Sequence, residues 1–564
     1  MRRLLFSLFL TSVLVLNSSA LNYSVNAQRR QPRAPRSTAS LPTQRGADKI
    51  TANQLRDYLT FISSDALEGR DTPSRGLDVA AQFLALNLSR WGFKPAGDAG
   101  SYFQKIALIS DVVDKEQTKV SLNGQPLTLG EHYLPFPGTL DANAPMVFAG
   151  SGWFVKSKNI DAYRGIDARG KIAIIFGPPA GLPRGITRQD LQGTRGVDYM
   201  NAFEYAEKQG VAALVIVPDF QFIANWERNR MRMIERGNLV VEKFQTGPQR
   251  VIAGVIASPQ LANTLFQGER ANATTLFESV YGTQAVEPFE LRPDKKLSIA
   301  VRKQSSVATS TQNVVAVFEG SDPVLKNEYV ALGAHYDHVG VGIPVNGDST
   351  YNGADDDGSG TTALLAIAEA LAHTTPRPKR SVLFVWHAGE EKGLWGSRYF
   401  TENPTVALDK IVTQINLDMI GRSKQEGDTN PRNTTLSGPN GIYVIGSKMM
   451  STELGEITET VNRQYLNLNY DYRYDDPSDP NRYFFRSDHI NYARKGIPIV
   501  FFFDGEHVDY HRPSDSVEKI DFQKMEKLTR TIHLTMWEIA DRPNRPVVDK
   551  PLPAQLGGGM PPRN

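Results

Sequence analysis

The sequence contains no cysteine among its 564 residues. This absence excludes disulfide bonds, a cysteine nucleophile, a lipidated N-terminal cysteine and any zinc site built from thiolates. Stability must therefore come from buried apolar cores, with bound metal as the one available supplement. A chain of this length is long enough for two or three domains with sizeable cores.

An excess of one charge sign is also missing. The chain carries 63 lysines and arginines against 61 aspartates and glutamates, a formal net charge of +2. The charges are mixed along the body of the chain rather than clustered. The balance gives no reason to expect nucleic acid or another polyanion as a partner.

Long hydrophobic runs are absent except near the N-terminus. Two arginines are followed there by an apolar run over residues 4–16, and small residues precede Ala27. This pattern predicts a secretory signal peptide over residues 1–27, with cleavage after Ala20 as an alternative, because the run is short for a membrane span. An uncleaved anchor is the other interpretation. We expect an exported bacterial protein, periplasmic or secreted, with no membrane span after signal cleavage.

Motifs of two common chemistries are missing as well. No G-x-S-x-G elbow occurs, which disfavours a serine hydrolase of the α/β type. GIDARGKI (165–172) has the spacing of a phosphate-binding loop, but Ile172 stands where that loop needs Ser or Thr, and a strand follows instead of a helix. A nucleotide-phosphate site is therefore not expected.

What is present is an alternation of short apolar runs and helices over residues 290–545. Continuous apolar runs rich in β-branched residues predict a mixed, mostly parallel central sheet, buried on both faces and flanked by helices, in an α/β fold. Helical patterns in 48–129 assign that segment to the same domain. Residues 130–289 show short β runs and one helix, which predicts an inserted β-rich domain. The Pro- and Arg-rich residues 28–47 are expected to be a linker, and 546–564 a disordered tail.

Residue types that bind metals stand at the ends of the predicted strands of the main domain. Ligands bind outside the carboxyl ends of strands in α/β sheets, so these residues lie where a site is expected. They suit two zinc ions with oxygen and nitrogen ligands, because three ligating carboxylates, out of the larger acidic set at these strand ends, would offset most of the charge of two divalent cations. The residues are His335, Asp337, Glu390, Glu391, Asp418 and His511.

Six segments resemble, in order, the motif series of the di-zinc aminopeptidase family, peptidase family M28, with bacterial leucyl aminopeptidases and glutamate carboxypeptidases among its members. The resemblance covers residues 48 to 540 and implies a zinc-exopeptidase fold of the phosphorylase/hydrolase-like type, with 48–129 and 290–545 as the two parts of a peptidase domain. The segments are GAHYDHVG, NGADDDGSG, GEEKGLWGS, NLDMIGR, RSDH and DYHRPSD.

The resemblance implies two zinc ions per chain. His335 and Asp418 would hold one ion, Glu391 and His511 the other, and Asp356 would bridge both. These roles come from matching the motifs residue by residue.

The resemblance also implies three catalytic roles. Glu390 is the expected general base, which takes a proton from the water that becomes the metal-bridging hydroxide and passes it to the leaving amine. Asp337 is expected to orient His335. Tyr510 is expected to help polarise the scissile carbonyl.

Three consecutive aspartates divide their tasks in this interpretation. Asp356 bridges the metals, Asp357 caps the following helix, and Asp355 is expected to be a solvated neighbour. The peptide bond between Asp356 and Asp357 is expected to be cis, as it often is in relatives.

The inserted segment resembles a protease-associated domain, through NIDAYRGIDARGKIAIIFG and AFEYAEKQGVAALVIV. Such a domain would cover the active-site cleft or bind partners, and an inert insertion is the alternative. Residues 470–489 combine aromatic and acidic side chains. They either line the substrate pocket, with an acidic group for a free α-ammonium, or form a solvated loop.

The sequence thus predicts an exported di-zinc metallo-exopeptidase, an aminopeptidase that acts on peptides with a free N-terminus. A carboxypeptidase or a glutaminyl cyclase on the same fold, and a non-catalytic receptor-like protein, are the alternatives. Side-chain specificity, natural substrate and oligomeric state are not predicted.

Overall fold

The computed structural model describes residues 45–136, 138–177, 182–183, 185–245, 252–281, 286–304 and 307–550. These described residues belong to one compact unit. The predicted signal peptide, residues 28–44 of the predicted linker and residues 551–564 of the predicted tail lie outside the described residues. Residues 546–550 make hydrogen bonds, including one from Lys550 N to Met450 O (3.3 Å) and one from Thr452 N to Asp549 Oδ1 (2.8 Å).

The α-helices begin and end as follows: Ala52–Ile62 (α1), Arg75–Arg90 (α2), Ala202–Gln209 (α3), Phe220–Ala224 (α4), Trp226–Arg230 (α5), Pro259–Phe266 (α6), Ala273–Tyr281 (α7), Gly358–Ala372 (α8), Trp395–Glu402 (α9), Thr452–Gln464 (α10), His489–Ala493 (α11) and Phe522–Asp541 (α12).

The strands of the first half are Lys94–Pro95 (β1), Phe103–Asp111 (β2), Lys119–Leu122 (β3), Gln125–Leu127 (β4), Tyr133–Pro135 (β5), Leu140–Phe148 (β6), Phe154–Val155 (β7), Ile160–Asp161 (β8), Ile172–Phe176 (β9), Tyr199–Met200 (β10), Ala213–Val217 (β11) and Asn238–Val241 (β12). Those of the second half are Gly254–Ala257 (β13), Phe289–Glu290 (β14), Lys296–Val301 (β15), Val307–Phe318 (β16), Tyr329–His335 (β17), Gly340–Val345 (β18), Asp348–Tyr351 (β19), Ser381–His387 (β20), Ile411–Leu417 (β21), Gly441–Ile445 (β22), Asn469–Asp471 (β23) and Ile499–Phe503 (β24).

The central sheet has the strand order β12-β2-β16-β20-β17-β21-β24-β22-β23, with β1 beside β16. Its middle strands, β20, β17, β21 and β24, run parallel to one another, whereas β2 and β16 pair antiparallel with their neighbours. β22 is antiparallel to β24 and parallel to β23. The strands β20, β21 and β24 are buried along their whole length. The mixed α/β architecture predicted from their apolar runs is confirmed.

Helix α8 is buried between the central sheet and other helices. Nearly all of its residues are buried, on every side, and it packs against β17 and against α1 and α12. Helices α9 and α11 pack on each other and on other strands of the same sheet. A helix that is apolar all round is stable only inside such a layer.

A second sheet has the order β4-β3-β15-β6-β9-β11-β13-β5, and its strands β6, β9, β11 and β13 are parallel. It begins at Lys119 and ends at Val301, so it extends beyond the predicted limits of 130 and 289 on both sides. The expectation of a single helix in this region is wrong, since α4 to α7 also lie there. Ser258 caps α6 and Pro259 opens it, which is a start signal in the sequence.

One strand from within the predicted insertion belongs to the central sheet. β12 pairs antiparallel with β2, from Asn238 opposite Asp111 to Val241 opposite Leu108. The two sheets are thereby joined by an edge pairing in addition to the chain connections.

None of the helices in the described part of the chain combines the length and the apolar character that a membrane crossing requires.

Candidate metal centre

The site is assembled where the parallel strands of the central sheet end. His335 is the last residue of β17, Glu390 and Glu391 follow β20, and Asp418 directly follows β21. Parallel strands bring their carboxyl ends to one edge, so residues that are far apart in sequence meet there. The start of α8 adds Asp356 to the same edge.

One group of donors surrounds His511. Its Nε2 lies 3.0 Å from Asp356 Oδ2 and 3.1 Å from Glu391 Oε2. His338 Nδ1 lies 2.9 Å from Glu391 Oε1. One donor atom from each of these four residues lies within 4.8 Å of the others. The His511 side chain is 38% exposed, so this face of the site reaches solvent.

A second group surrounds His335, which is buried. Its Nε2 lies 3.2 Å from Asp356 Oδ1 and 3.6 Å from Asp418 Oδ1. The two carboxylate oxygens of Asp356 therefore face different groups. The structure brings together all five residues predicted as ligands and places Asp356 between the two pairs.

The neutral tautomer of His335 is fixed by a carbonyl group. Its Nδ1 donates a hydrogen bond to the backbone oxygen of Asp337 (3.1 Å), because a carbonyl can only accept. In the neutral ring the lone pair is then on Nε2, which faces Asp356 and Asp418. Burial opposes a charge on this ring, but Asp418 and Asp356 raise the pKa of His335 well above its usual range, so a positive charge is favoured at this position too. The distance from Nδ1 to the nearer carboxylate oxygen of Asp337 is 3.7 Å. The contact through which Asp337 orients His335 is therefore its backbone carbonyl and not its side chain.

The side chain of Asp337 has a different set of partners. Oδ1 accepts a hydrogen bond from Glu390 N (3.2 Å) and Oδ2 from Thr72 Oγ1 (3.0 Å). Burial raises its pKa to about 6 despite the opposing effect of His335. Asp337 therefore anchors the backbone of Glu390, a task that only the tertiary structure reveals.

These donors fit zinc. They are oxygen and nitrogen atoms, and zinc–ligand bonds of about 2.0–2.1 Å at tetrahedral angles separate donor atoms by about 3.3 Å. The separations given above scatter around that value. Several of the donors are buried and make no hydrogen bond of acceptable geometry among the described residues, namely Nδ1 of His338, Oδ2 of Asp356, Oε1 of Glu391 and Nε2 of His511.

The charged groups of the protein alone already favour a cation at this site. Burial opposes the charge of Asp356, but the close imidazoles of His335 and His511 lower its pKa well below the usual range. Burial and Asp356 raise the pKa of Glu391, yet the imidazoles of His338 and His511 bring it to about 2. The carboxylates in turn raise the pKa of His511 to about 11 against the effect of burial. Positive charge is therefore strongly favoured at this position.

Residues 313–536 match the sequence profile of peptidase family M28. The segment belongs to peptidase family M28. The matched range begins in β16 and ends in α12, and it contains every residue predicted for the site.

Relatives of the M28 segment carry descriptions of the same kind. A probable zinc metalloprotease of Pyrenophora teres f. teres is 38% identical over 125 residues, which are 22% of this chain and 26% of that protein. A probable leucine aminopeptidase of Arthroderma benhamiae is 27% identical over 226 residues, 39% of this chain and 56% of that protein. This chain spans between about a quarter and just over half of the length of the curated relatives it matches.

Among solved structures, the aminopeptidase from Aneurinibacillus sp. strain AM-1 is similar over 92% of this chain and 100% of that chain. The TM-score is 0.51 and the sequence identity 17%. At this identity the likeness establishes the fold alone.

The catalytic candidates of the M28 segment lie beside the donors. Burial raises the pKa of Glu390 well above its usual range, opposed by His335 and reinforced by Glu391 and Asp418. The Tyr510 ring stacks on that of His511 at a centroid distance of 4.0 Å. Burial, followed by the nearby carboxylates, raises the pKa of Tyr510 well above its usual range, so its phenol keeps its proton.

The peptide bond between Asp356 and Asp357 is cis, as predicted. The capping role predicted for Asp357 is also confirmed, because its Oδ1 accepts from Gly360 N at 2.9 Å. Asp357 does more than cap the helix. It also accepts hydrogen bonds from His335 N (3.1 Å) and Met419 N (3.2 Å), and so ties the ends of β17 and β21 to the start of α8.

The expectation of a solvated Asp355 is wrong. This side chain is fully buried; Oδ1 accepts from Gly421 N (2.7 Å) and Oδ2 lies 3.2 Å from His507 Nε2. The neighbouring carboxylate of Asp515 accepts from both Asp355 N and Asp356 N, and it pairs with Arg422 (3.5 Å). The imidazole and the guanidinium, which are distant in sequence, supply the compensation that burial requires.

Three further residues of the site were not predicted. Ser487, within the RSDH motif, donates to Asp418 Oδ2 at 2.6 Å. Arg70 is fully buried and donates to carbonyl groups on both sides of the site, those of Tyr336, Asn352 and Gly353. His338 stands beside Glu391. Ser487 and His338 lay in motifs that the sequence had already singled out for their neighbours, RSDH and GAHYDHVG, whereas Arg70 did not.

Two acidic groups of residues 470–489 accept hydrogen bonds from the protein's own backbone. Asp475 accepts from Gly446 N and Lys448 N, and Asp479 accepts from Tyr483 N. Asp475 therefore ties the segment to the turn after β22, and Asp479 stabilises the segment itself. The segment contributes Arg486, which forms an ion pair with Glu506 (2.6 Å) and lowers the pKa of Tyr510 in opposition to the carboxylates.

Proposed function

We propose that this protein is an exported zinc-dependent metallo-exopeptidase, an aminopeptidase that removes N-terminal residues from peptides. The observation that carries the proposal is the position of Asp356, whose two oxygens face two separate histidine–carboxylate pairs within an M28 segment. The descriptions of relatives as leucine aminopeptidases favour the aminopeptidase over the carboxypeptidase and the glutaminyl cyclase.

Two zinc ions per chain are part of the proposal. His335 and Asp418 would hold one ion, Glu391 and His511 the other, and Asp356 both. When bound, zinc supplies a Lewis acid that polarises the scissile carbonyl and lowers the pKa of water. The fixed tautomer of His335 and the orphaned donor atoms around Glu391 support this assignment.

Glu390 is the proposed general base. Its carboxylate takes a proton from the attacking water as the new C–O bond forms at the scissile carbonyl carbon. It returns that proton to the amine nitrogen as the C–N bond breaks. A pKa raised by burial brings the group closer to the value at which it both accepts and donates a proton near neutral pH.

Two side chains position this reaction. Asp337 holds the backbone of Glu390 through Glu390 N and is itself held by Thr72, which limits the directions that the base can take. Tyr510, which remains protonated, would donate its hydroxyl proton in a hydrogen bond to the carbonyl oxygen of the substrate. Its stacking on His511 keeps it at the solvent-accessible side of the site.

The second sheet and its helices are the proposed protease-associated domain. Its strand β12 is paired with the edge of the catalytic sheet, which favours a fixed position relative to the peptidase domain over free movement. A fixed neighbour can restrict access to a cleft, in line with the covering role.

The test is a substrate panel with and without chelator. We expect cleavage of free-amine aminoacyl anilides, no cleavage of their N-acetylated forms, and loss of activity with chelator that zinc restores. Cleavage of only a C-terminally unblocked N-acyl dipeptide would replace the proposal with a carboxypeptidase. Cyclisation of N-terminal glutamine alone would indicate a cyclase, and two bound zinc ions without turnover of any substrate would indicate a receptor-like protein.

A further inference from the structure

His338 has no role in the family resemblance, yet its imidazole lies against Glu391 and Asp356, two of the candidate ligands. Its side chain is fully buried, and its backbone nitrogen donates to Arg70 O at 3.1 Å. The imidazole Nδ1 lies 2.9 Å from Glu391 Oε1 and 3.7 Å from Asp356 Oδ2. Neither ring nitrogen makes a hydrogen bond of acceptable geometry among the described residues.

The backbone next to His338 makes room for the ring. Gly353 has a φ of 55°, and a Cβ placed on it would lie 2.5 Å from His338 Cγ and 2.3 Å from Asp356 O. Only glycine is compatible with both the conformation and the contact. The chain therefore accommodates a buried imidazole whose nitrogens have no well-aligned hydrogen-bond partner among the described residues, although Nδ1 lies against Glu391, and this arrangement suits a shared ligand.

The distances around His338 match those of the other donors. His511 Nε2 lies 3.0 and 3.1 Å from its two carboxylate neighbours, and His335 Nε2 lies 3.2 and 3.6 Å from its own. The two distances from His338 Nδ1, 2.9 and 3.7 Å, scatter around the same tetrahedral edge of about 3.3 Å. A short distance without hydrogen-bond geometry is what two donors to one shared cation would show.

We propose that His338 is a fourth protein ligand of the zinc ion held by Glu391, His511 and Asp356. This inference rests on the proposed di-zinc site and deepens it, since it makes the two positions unequal. The position of His338 has two imidazoles and two carboxylates, a complete tetrahedral set. The position of His335 has only that imidazole and the carboxylates of Asp356 and Asp418.

Asp357 does not complete the second set. It lies close enough to His335 and Asp418 to be counted with them, but three backbone N–H groups already occupy its oxygens. Zinc sites with four protein ligands are typically structural, whereas catalytic sites keep one position open. The His338 position therefore binds the first zinc tightly, and the His335 position binds the second zinc more weakly and exchanges it.

The test is a zinc titration of the metal-free full-length protein in competition with a chelating indicator. The variants are His338→Ala and His338→Gln, because glutamine can donate a hydrogen bond to Glu391 but is a poor zinc ligand. His533→Gln, at a buried histidine on α12 outside the site, is the matched control. Circular dichroism checks the fold of each protein before titration.

Wild-type protein should bind two equivalents with different affinities. Both His338 variants should bind the first, tighter zinc equivalent about 100-fold or more weakly. This loss exceeds the one typical of residues that only hold a metal ligand in place. The affinity for the second, weaker equivalent should change by no more than a few-fold. The control should keep both affinities. Retention of the tight affinity by His338→Gln, or by both variants, would overturn the proposal and leave His338 as a hydrogen-bond partner or a bystander.

A second measurement needs no variant. X-ray absorption of wild-type protein loaded with one equivalent of zinc should show two imidazole ligands, and a single imidazole would refute the assignment. Neither readout depends on turnover. Zinc binding as described without peptidase activity would refute the proposed function and leave the role of His338 standing, whereas failure of wild-type protein to bind zinc would refute both.

Discussion

Asp515→Ala tests whether the bridging aspartate is held in place from behind. Asp515 is fully buried, and its Oδ2 accepts hydrogen bonds from Asp355 N (3.0 Å) and Asp356 N (3.2 Å). Its Oδ1 pairs with Arg422 Nη1 at 3.5 Å. Alanine would remove both interactions and leave the backbone hydrogen bond from Ala354 N to Asp515 O in place.

The magnitude follows from two buried N–H groups that lose their acceptor. Each such loss costs about 1–3 kcal/mol, so the metal-free variant should be about 2–6 kcal/mol less stable. Arg422 keeps Asp509 at 2.8 Å, so its charge stays compensated and adds little to the cost. Zinc affinity should fall as well, because the main chain of Asp356 is no longer fixed.

The assay is denaturant unfolding of the metal-free proteins, followed by zinc titration of each. Asp515→Asn is the matched variant, since its amide oxygen can still accept from both N–H groups, and it should be less destabilised than Asp515→Ala. A cost below about 1 kcal/mol for Asp515→Ala, with unchanged zinc affinity, would refute the reasoning. That result would mean that Asp355 N–H and Asp356 N–H do not depend on Asp515 as their hydrogen-bond acceptor.

Three other predictions concern the base, the bridge and a distant histidine. Glu390→Gln should retain both zinc ions in metal analysis and lose about 10²–10⁴-fold in turnover, and near wild-type activity would contradict the assignment. Asp356→Ala should lose zinc, measured by the same metal analysis. Burial lowers the pKa of His533 from 6.5 to about 4. Below pH 6.5 the unfolded chain therefore binds a proton at this residue before the folded protein does. The free energy of unfolding should be unaffected by this group well above pH 6.5 and should fall by about 3 kcal/mol as pH drops to 4. His533→Gln, which can still donate to Arg45 O, should show a shallower fall in melting temperature over that range, and an equal fall would contradict the assignment.

The sequence allowed the central sheet and four of the five donors to be predicted from local patterns. The runs of β17 and β20 are mostly apolar, β21 carries Thr413, Gln414 and Asn416 between apolar residues, and residues that suit a metal stand at or after the end of each strand. Parallel pairing then brings these strand ends together. Asp356 was placed at the site by the family resemblance alone, whereas the helical pattern that follows Asp357 placed that residue at the start of α8.

What the sequence could not supply was the partner of each remaining polar group. Asp355 looked solvated in a row of three carboxylates, because His507 and Arg422, which compensate it, lie far away in the chain. Whether His335 Nδ1 meets the carbonyl or the carboxylate of Asp337 depends on differences below one ångström. The limits of the second sheet were missed because β3 and β15 pair across the whole insertion.

The pairing of β12 with β2 has a practical consequence for shortened forms of the protein. Excision of residues 130–289 would remove β12 along with the insertion and leave β2 as the outer strand of the central sheet. Its free N–H and C=O groups would then be available to strands of other molecules. A peptidase domain without the insertion is therefore expected to self-associate unless charged residues or a proline are placed along β2.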